Sequence, residues 1–534
     1  MKTRGIGGLA ALATLLFAAS CQPPERTAVG APQILRVSNR NEPSDLDPAK
    51  ATLPDEFAIL RTLLEGLLIP GPTGRPPLPG LATHFELSPD GLIYTFHLRT
   101  EAAWSDGVPL SAPQLVAAYQ RLLTPATAAP KANVFFPVKN ARAFVSGDLP
   151  DFSAVGLRAS GPHTLVVTLE KPTPRFPYYV ASGPWLPVRT DLVARYGRNW
   201  TRPENFAGNG AFTLTEWRAD QRIIVRKNPR WHGAQHVRLE EIHFMRFDSG
   251  DTEERAYRAG QIDATMSVPS SKVEVYARER PSELQRAPMI ETRYLSFNTL
   301  RPPLDLTSVR RALALALDRQ KLVEHVLRGG QPATGRLVPP ALREPGELTA
   351  LPPDHHYDPA TARKLLAEAG YDPKKFPRLE ICGWSASQVA ILEAIQAMWR
   401  QELGLEITIT IREAKVHLST LAAGDYDIAF ITAIPDVADA VELLGDYVTA
   451  APENYPHWHH PAFDAQITAA RQHPDRATRA GHLFTAERQL LEDAPLSPLY
   501  FNSKIWLMNP RLRGWEEDGL WSRNYHTVYF SENK

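Results

Sequence analysis

The run from Phe376 to Leu444 constrains the fold more than any other stretch, because strand and helix signals alternate there in βαβαβ order. Pro377 to Cys382 is a short apolar strand. A Ser385/Ser387 cap then opens a helix whose apolar positions Val389, Leu392, Ile395 and Trp399 recur at the helical period, and Gly404 ends it. Leu405 to Ile411 alternates, with Ile407, Ile409 and Ile411 on one face. A second helix covers Lys415 to Ala423, Gly424 stops it, and Tyr426 to Thr432 is the third strand. Asp436 and a further helix, Val437 to Leu444, follow at once. Such alternation implies a parallel sheet with right-handed crossovers, and ligands of these sheets bind beyond the carboxyl ends of the strands. Asp436 stands at such an end. Its side chain could equally be an N-cap for the following helix, with Asp439 three positions on.

At 534 residues the chain is too long for one core, and roughly two to four domains follow from ordinary domain sizes. Its 59 basic and 59 acidic side chains cancel without blocks of like charge, which argues against a nucleic-acid partner. The 48 prolines are scattered among apolar segments, so they indicate a loop-rich fold rather than a disordered one.

Lys2 and Arg4 precede an apolar run, Ile6 to Ala19, that is short and rich in small residues, so residues 1–20 are an expected export signal. Ala18-Ala19-Ser20-Cys21 resembles the lipobox of bacterial lipoproteins, which implies that Cys21 is lipidated and that residues 21–30 form a tether holding the protein to a membrane. Ordinary cleavage at a small-residue site is the alternative. Cys382 is then without a disulfide partner and is expected as a small buried apolar residue.

Elsewhere, Ile34 to Ser38 is a strand, Asn41 to Pro48 a turn-rich loop and Phe57 to Leu68 an amphipathic helix. Leu92 to Leu98 and Thr164 to Leu169 are strands flanking a Trp104-Ser-Asp-Gly107 turn and a helix opened by Ser111, an α+β arrangement. Phe212 to Trp217 pairs with Ile223 to Lys227 after a tight Gly208-Asn-Gly210 loop. Beyond a helix at Glu253 to Ala259 and a strand at Thr292 to Phe297, a long helix runs from Val309 to Leu327, capped by Thr307 or Ser308 and ended by Gly329-Gly330. Asp358-Pro359 opens another that stops at Gly370, and Leu499 to Leu507 returns as a strand.

Tyr94-Thr-Phe-His-Leu-Arg99, Trp104-Ser-Asp-Gly107, Ser111-Ala112 and Arg121-Leu122 stand in the order and spacing of the oligopeptide- and dipeptide-binding proteins of peptide and nickel ABC importers. Asn209-Gly210-Ala211-Phe212 with Trp217 and Asn228-Pro229, Gly260-Gln-Ile-Asp263, Phe297-Asn298-Thr299, Val309-Arg-Arg-Ala312, Leu317-Asp318-Arg319 and Leu365 to Gly370 extend the resemblance over nearly the whole mature chain. It implies an α/β, periplasmic binding protein-like two-lobed fold with an additional inserted α+β domain. Lobe I would comprise 31–70, 185–294 and 500–534, the insertion 71–184, and lobe II 295–499. It also implies a monomeric, cofactor-free, non-enzymatic receptor that captures oligopeptides in the periplasm or cell envelope and delivers them to the transmembrane subunits of an ABC permease.

By the same resemblance, Asp436 would anchor the peptide's amino group. The backbone would be held as an added strand by the loop bearing Asn41, Glu42 and Pro43, by the turn with Asn209 and Gly210, and by Thr432, Ala433 and Ile434. Where the family usually carries a Gly-Trp pair and Ala-Asp-Tyr, this chain has Thr432-Ala-Ile-Pro-Asp-Val437, so the aromatic wall is missing and Pro435 removes a backbone donor. A metal or metal-complex receptor is one alternative, resting on His355-His356 and His457-Trp-His459-His460. An exported hydrolase is another, but the chain has no Gly-x-Ser-x-Gly elbow, His-Glu-x-x-His or phosphate loop.

Overall fold

The computed structural model describes residues 32–39, 42–343, 356–372, 375–473, 475–520 and 523–532; the expected export signal over 1–20, Cys21, Asn41 and His355 lie outside these. The βαβαβ unit is present. Strand Leu379–Gly383 pairs in parallel with Ile407–Ile411 on one side and with Ile428–Ala433 on the other. Helices Val389–Leu403 and Ala414–Ala422 connect them, and Gly404 and Gly424 take the left-handed conformation (φ 68° each) that lets the chain reverse. Strands Leu284–Phe297 and Leu496–Leu507 complete a five-stranded sheet, both joining antiparallel.

Residues of the third strand alternate between two cores. Ile428 and Phe430 pack with Ile381, Leu392, Ile395 and Trp399 on one face. Ala429, Ile431 and Ala433 pack with Cys382, Val441, Leu444 and Phe463 on the other. A strand buried on both faces has no polar alternation, which is why Tyr426 to Thr432 is a nearly continuous apolar run. Cys382 is buried and unpaired, and burial pushes its thiol up to about 12, so it is inert filling.

A second sheet orders Ile34–Ser38, Glu241–Met245, Arg222–Lys227 and Phe212–Arg218, and a third, of Ala82–Leu87, Ile93–Leu98, Thr164–Thr168 and Leu157–Ala159, lies within 71–184. These two share one continuous core. Trp185 is fully buried in it, stacked on Phe135 at 4.1 Å and meeting Tyr119 edge-on at 5.0 Å. The two long strands are the link to the five-stranded sheet. They pair from Leu284–Leu507 to Ser296–Leu496, with register shifts between Pro288 and Thr292 and again between Arg293 and Tyr294. At their far end Thr265 donates its amide to the Leu507 carbonyl at 2.9 Å and its hydroxyl accepts from the Leu507 amide at 2.8 Å.

Two helices depart from the expectation. The long one breaks: Thr307–Leu315 stops, and Asp318 caps a new turn by accepting the Lys321 amide at 3.0 Å. Arg319, buried between, donates to the carbonyls of Ala314 and Leu317 and of Pro498, so a side chain satisfies groups that further helix would have used. The end falls on Arg328 in the left-handed region (φ 55°), ahead of the two glycines. The Phe57 to Leu68 helix instead spans Pro54–Leu63. Its last turn is capped from outside, because the Gly210 amide donates to the Leu63 carbonyl at 2.9 Å. No helix among the described residues is long and apolar enough to cross a membrane.

Candidate functional site

The helix after the third strand begins at Ala440, and its N-cap is Asp439, whose carboxylate accepts the Val441 amide at 3.1 Å. Asp439 is also held by Arg479 at 2.5 Å and by Arg175 at 3.9 Å. Capping is therefore done without Asp436. That side chain, 41% exposed, lies on the wall of a cavity of about 520 Å³ between the five-stranded lobe and the remainder. Ile434, Pro435, Val437 and Ala438 flank it; the facing walls come from Phe57 and Arg61, from the Pro70–Pro77 loop, and from Lys131, Arg175, Tyr178 and Ser182.

Asp436 is paired inside this cavity with Lys131, and Asn133 Nδ2 lies 3.5 Å from its second oxygen. Both partners belong to the 71–184 segment, so the ion pair crosses the cleft. Two neighbouring contacts do the same: Arg175 donates to the Ala438 carbonyl at 2.8 Å, and the Tyr179 hydroxyl donates to Glu442 at 2.5 Å. Burial raises the Glu442 carboxyl, and the hydrogen bond from Tyr179 opposes that shift.

The lining is cationic. Arg61, Arg75, Lys131, Arg175, Arg343 and Arg476 face it against Asp436 and Asp518 alone. Burial lowers the Arg61 guanidinium to about 10, with Asp518 opposing, and it donates to the Ala181 carbonyl at 3.1 Å. These cations come from six separate segments, and no local pattern in the chain marks them. Only the proline-rich turn Pro70-Gly-Pro-Thr-Gly-Arg-Pro-Pro77 is conspicuous in sequence.

Thr432, Ala433 and Ile434 line an adjoining cavity of about 260 Å³, and Ile434 borders both. The aromatic wall missing from the local sequence is supplied there by other elements, since Trp384, Tyr294, Tyr447 and Tyr455 surround it. Asp446, in the same wall, is held well above the usual carboxylate range by burial and by neighbouring Glu453 and Glu442. Thr432 also accepts a hydrogen bond from Arg293.

The remaining expected contacts lie elsewhere. Asn209 is 2% exposed and donates to the Glu65 carbonyl at 2.8 Å while accepting the Glu65 amide at 3.2 Å. The Gly210 amide is engaged by Leu63 and its carbonyl by Asn228 at 2.9 Å, and a Cβ at Gly210 would sit 2.6 Å from backbone atoms of Thr62 and Leu63. Neither residue lines the cavity of Asp436. Their requirement is close backbone packing, which explains the glycine without a ligand. Glu42 accepts from Trp217 Nε1 at 2.8 Å and Pro43 is buried, again outside both cavities. Of the histidines, His460 Nδ1 caps helix Pro461–Gln472 by accepting the Phe463 amide at 3.0 Å, a structural role.

A family model described as "Bacterial extracellular solute-binding proteins, family 5 Middle" matches residues 76–455. The probable deoxycholate-binding periplasmic protein YgiS of Escherichia coli (strain K12) is 32% identical over 523 residues, 96% of this chain and 96% of that one. The periplasmic oligopeptide-binding protein OppA of the same strain is 30% identical over 537 residues, 98% and 97% of the two chains. Among solved structures, the Escherichia coli murein tripeptide binding protein MppA matches with a TM-score of 0.81 and 29% identity over 94% of this chain and 99% of that one. With a cleft between two lobes, a resemblance over nearly the full length and a family match spanning most of the sequence, the chain belongs to the bacterial extracellular solute-binding proteins of family 5.

Proposed function

We propose that this protein captures oligopeptides outside the cytoplasm and delivers them to the transmembrane subunits of an ABC permease, acting as a monomeric receptor rather than an enzyme. The observation that carries the reading is Asp436. It lies just past a strand end on the cavity wall, and Asp439 relieves it of capping. Lys131 holds its carboxylate as a peptide's ammonium would, so an entering amino terminus takes the place of a side chain of the protein itself. The strand residues Thr432, Ala433 and Ile434 then offer backbone groups, with the aromatic-lined cavity receiving a side chain. Oligopeptide and murein-peptide binding by the relatives supports this choice of solute. Export would be directed by residues 1–20, and Cys21 would carry the lipid that tethers the receptor to a membrane.

A second reading rests on the excess of cations. Six basic side chains face two acidic ones around apolar Phe57, Tyr178 and Leu520, a lining suited to an amphipathic anion. The deoxycholate assigned to one relative is of that class. Native mass spectrometry of the gently purified protein separates the two. A ladder of short peptides supports the first reading, and a single anionic amphiphile replaces it with the second while retaining the receptor role.

A further inference from the structure

Just after the Pro70–Pro77 loop in sequence, the edge strand Ala82–Leu87 carries a group that lines neither cavity. His84 and His97 are direct cross-strand partners in its antiparallel pairing with Ile93–Leu98. The register shifts between Ala82 and His84, and the extra residue is Thr83. A bulge of this kind re-aims the side chains that follow it, here setting His84 opposite His97 with Glu86 two positions along. The rings stack at 4.4 Å and 10°. Glu86 Oε1 lies 3.3 Å from His97 Nε2. One donor atom from each of the three residues lies within 4.8 Å of the other two, and it is the one group of this kind among the described residues.

The hydrogen bonds around the histidines sort their nitrogens. The Thr83 hydroxyl donates to the His97 carbonyl at 3.2 Å, so its oxygen is left to accept from His84 Nδ1, 2.9 Å away. With the proton on Nδ1, His84 Nε2 keeps its lone pair. His97 Nε2 is shut off from solvent yet makes no hydrogen bond of acceptable geometry, although Glu86 stands beside it. One nitrogen from each imidazole and one oxygen of the exposed Glu86 carboxylate thus converge, and His97 Nε2 has no hydrogen-bond partner among the described residues.

We propose that His84, Glu86 and His97 bind one divalent transition-metal ion of the zinc class, with a fourth position open to water. Two imidazoles and a carboxylate are a ligand set that zinc accepts, and bond lengths near 2.1 Å place tetrahedral ligands roughly 3.4 Å apart, within reach of a side-chain rotation of the exposed Glu86. The Thr83 hydroxyl is the outer group that orients one ligand. None of the three residues lines the solute cavity, so the ion is not cargo. It clips an edge strand, whose residues beyond Ala82 are all exposed, to its one neighbour.

The test is equilibrium dialysis of the chelator-treated protein against Zn²⁺, with Mg²⁺ as the control ion. One Zn²⁺ per chain is expected, with no Mg²⁺ bound. Binding should weaken by at least about tenfold in His84→Ala and in His97→Ala, the usual loss when a ligand shell is damaged. Thr83→Val leaves all three ligands in place and should weaken it by about tenfold for the same reason. Because Thr83 and His84 are exposed and His97 is only half-buried, each variant should keep its far-ultraviolet circular dichroism. Zinc bound equally by the wild type and a His84→Ala/His97→Ala double variant would assign the ion to other histidines and overturn the proposal. So would the absence of zinc binding by the wild type.

Discussion

Asn209 and Asp436 face each other in expectation, one polar residue from each lobe reaching toward the same ligand, yet the fold uses them in opposite ways. Asn209 is buried and spends both ends of its amide on the backbone of Glu65, where helix Pro54–Leu63 has just ended. Asp436 is half exposed, contributes nothing to its own helix and meets only side chains from across the cleft. A polar group whose hydrogen bonds are all internal is part of the scaffold. One whose partner is a part-exposed lysine ammonium from across the cleft is, on the proposed reading, free to exchange that partner for a ligand. The difference lies in which groups were already satisfied, a property of packing rather than of residue type.

That contrast can be broken by substitution. Asp436→Ala should cost amine-bearing peptides about 2–5 kcal/mol of affinity, the usual penalty for breaking a desolvated charge pair, with melting nearly unchanged because the Lys131 pair is partly exposed. Calorimetry on a peptide drawn from those that co-purify measures it, and unchanged affinity would remove the anchor. Asn209→Ala should do the converse. Leaving the buried Glu65 backbone groups unpaired costs about 1–3 kcal/mol of stability, visible as a lower urea midpoint, while the folded protein still binds ligand. A loss of affinity without loss of stability would move Asn209 to the ligand side.

Lys131→Met sharpens the comparison by removing the internal competitor. Peptide affinity should rise by up to about 1 kcal/mol, the scale of a part-exposed ion pair, whereas an amphipathic anion should bind more weakly. The sign of that change separates the two proposed solutes. A pH-dependent effect on stability is expected from His417, which lines the aromatic cavity and which burial brings down from 6.5 to about 4. The unfolded chain binds the proton more readily, so this stability is present above pH 6.5 and is lost as the pH falls toward 4. Thermal unfolding across that range should show a shallower slope in His417→Phe. His526, also brought to about 4 by burial, should leave a residual slope.

Much of the fold is legible in the chain because its signals are local. The two helices of the βαβαβ unit end at Gly404 and Gly424, which supply the left-handed residue each reversal needs, and the twice-buried strand before Asp436 is apolar at nearly every position. The break after Leu315 is not legible, since it depends on Arg319 reaching the Pro498 carbonyl, on a strand 179 residues away. Nor is the end of the first helix, which is capped by a glycine amide from another segment.

The candidate site divides along the same line. The position of Asp436 after a parallel strand follows from alternating periodicity alone, because ligands of such sheets gather at strand ends. Which aspartate caps the helix, which lysine answers Asp436, which six cations surround the larger cavity and which four aromatic rings the smaller were decided only when distant segments met. Periodicity and turn residues act over a few positions and are written in order along the chain. Charge balance and the satisfaction of polar groups are properties of a neighbourhood, and neighbours in this protein are often hundreds of residues apart.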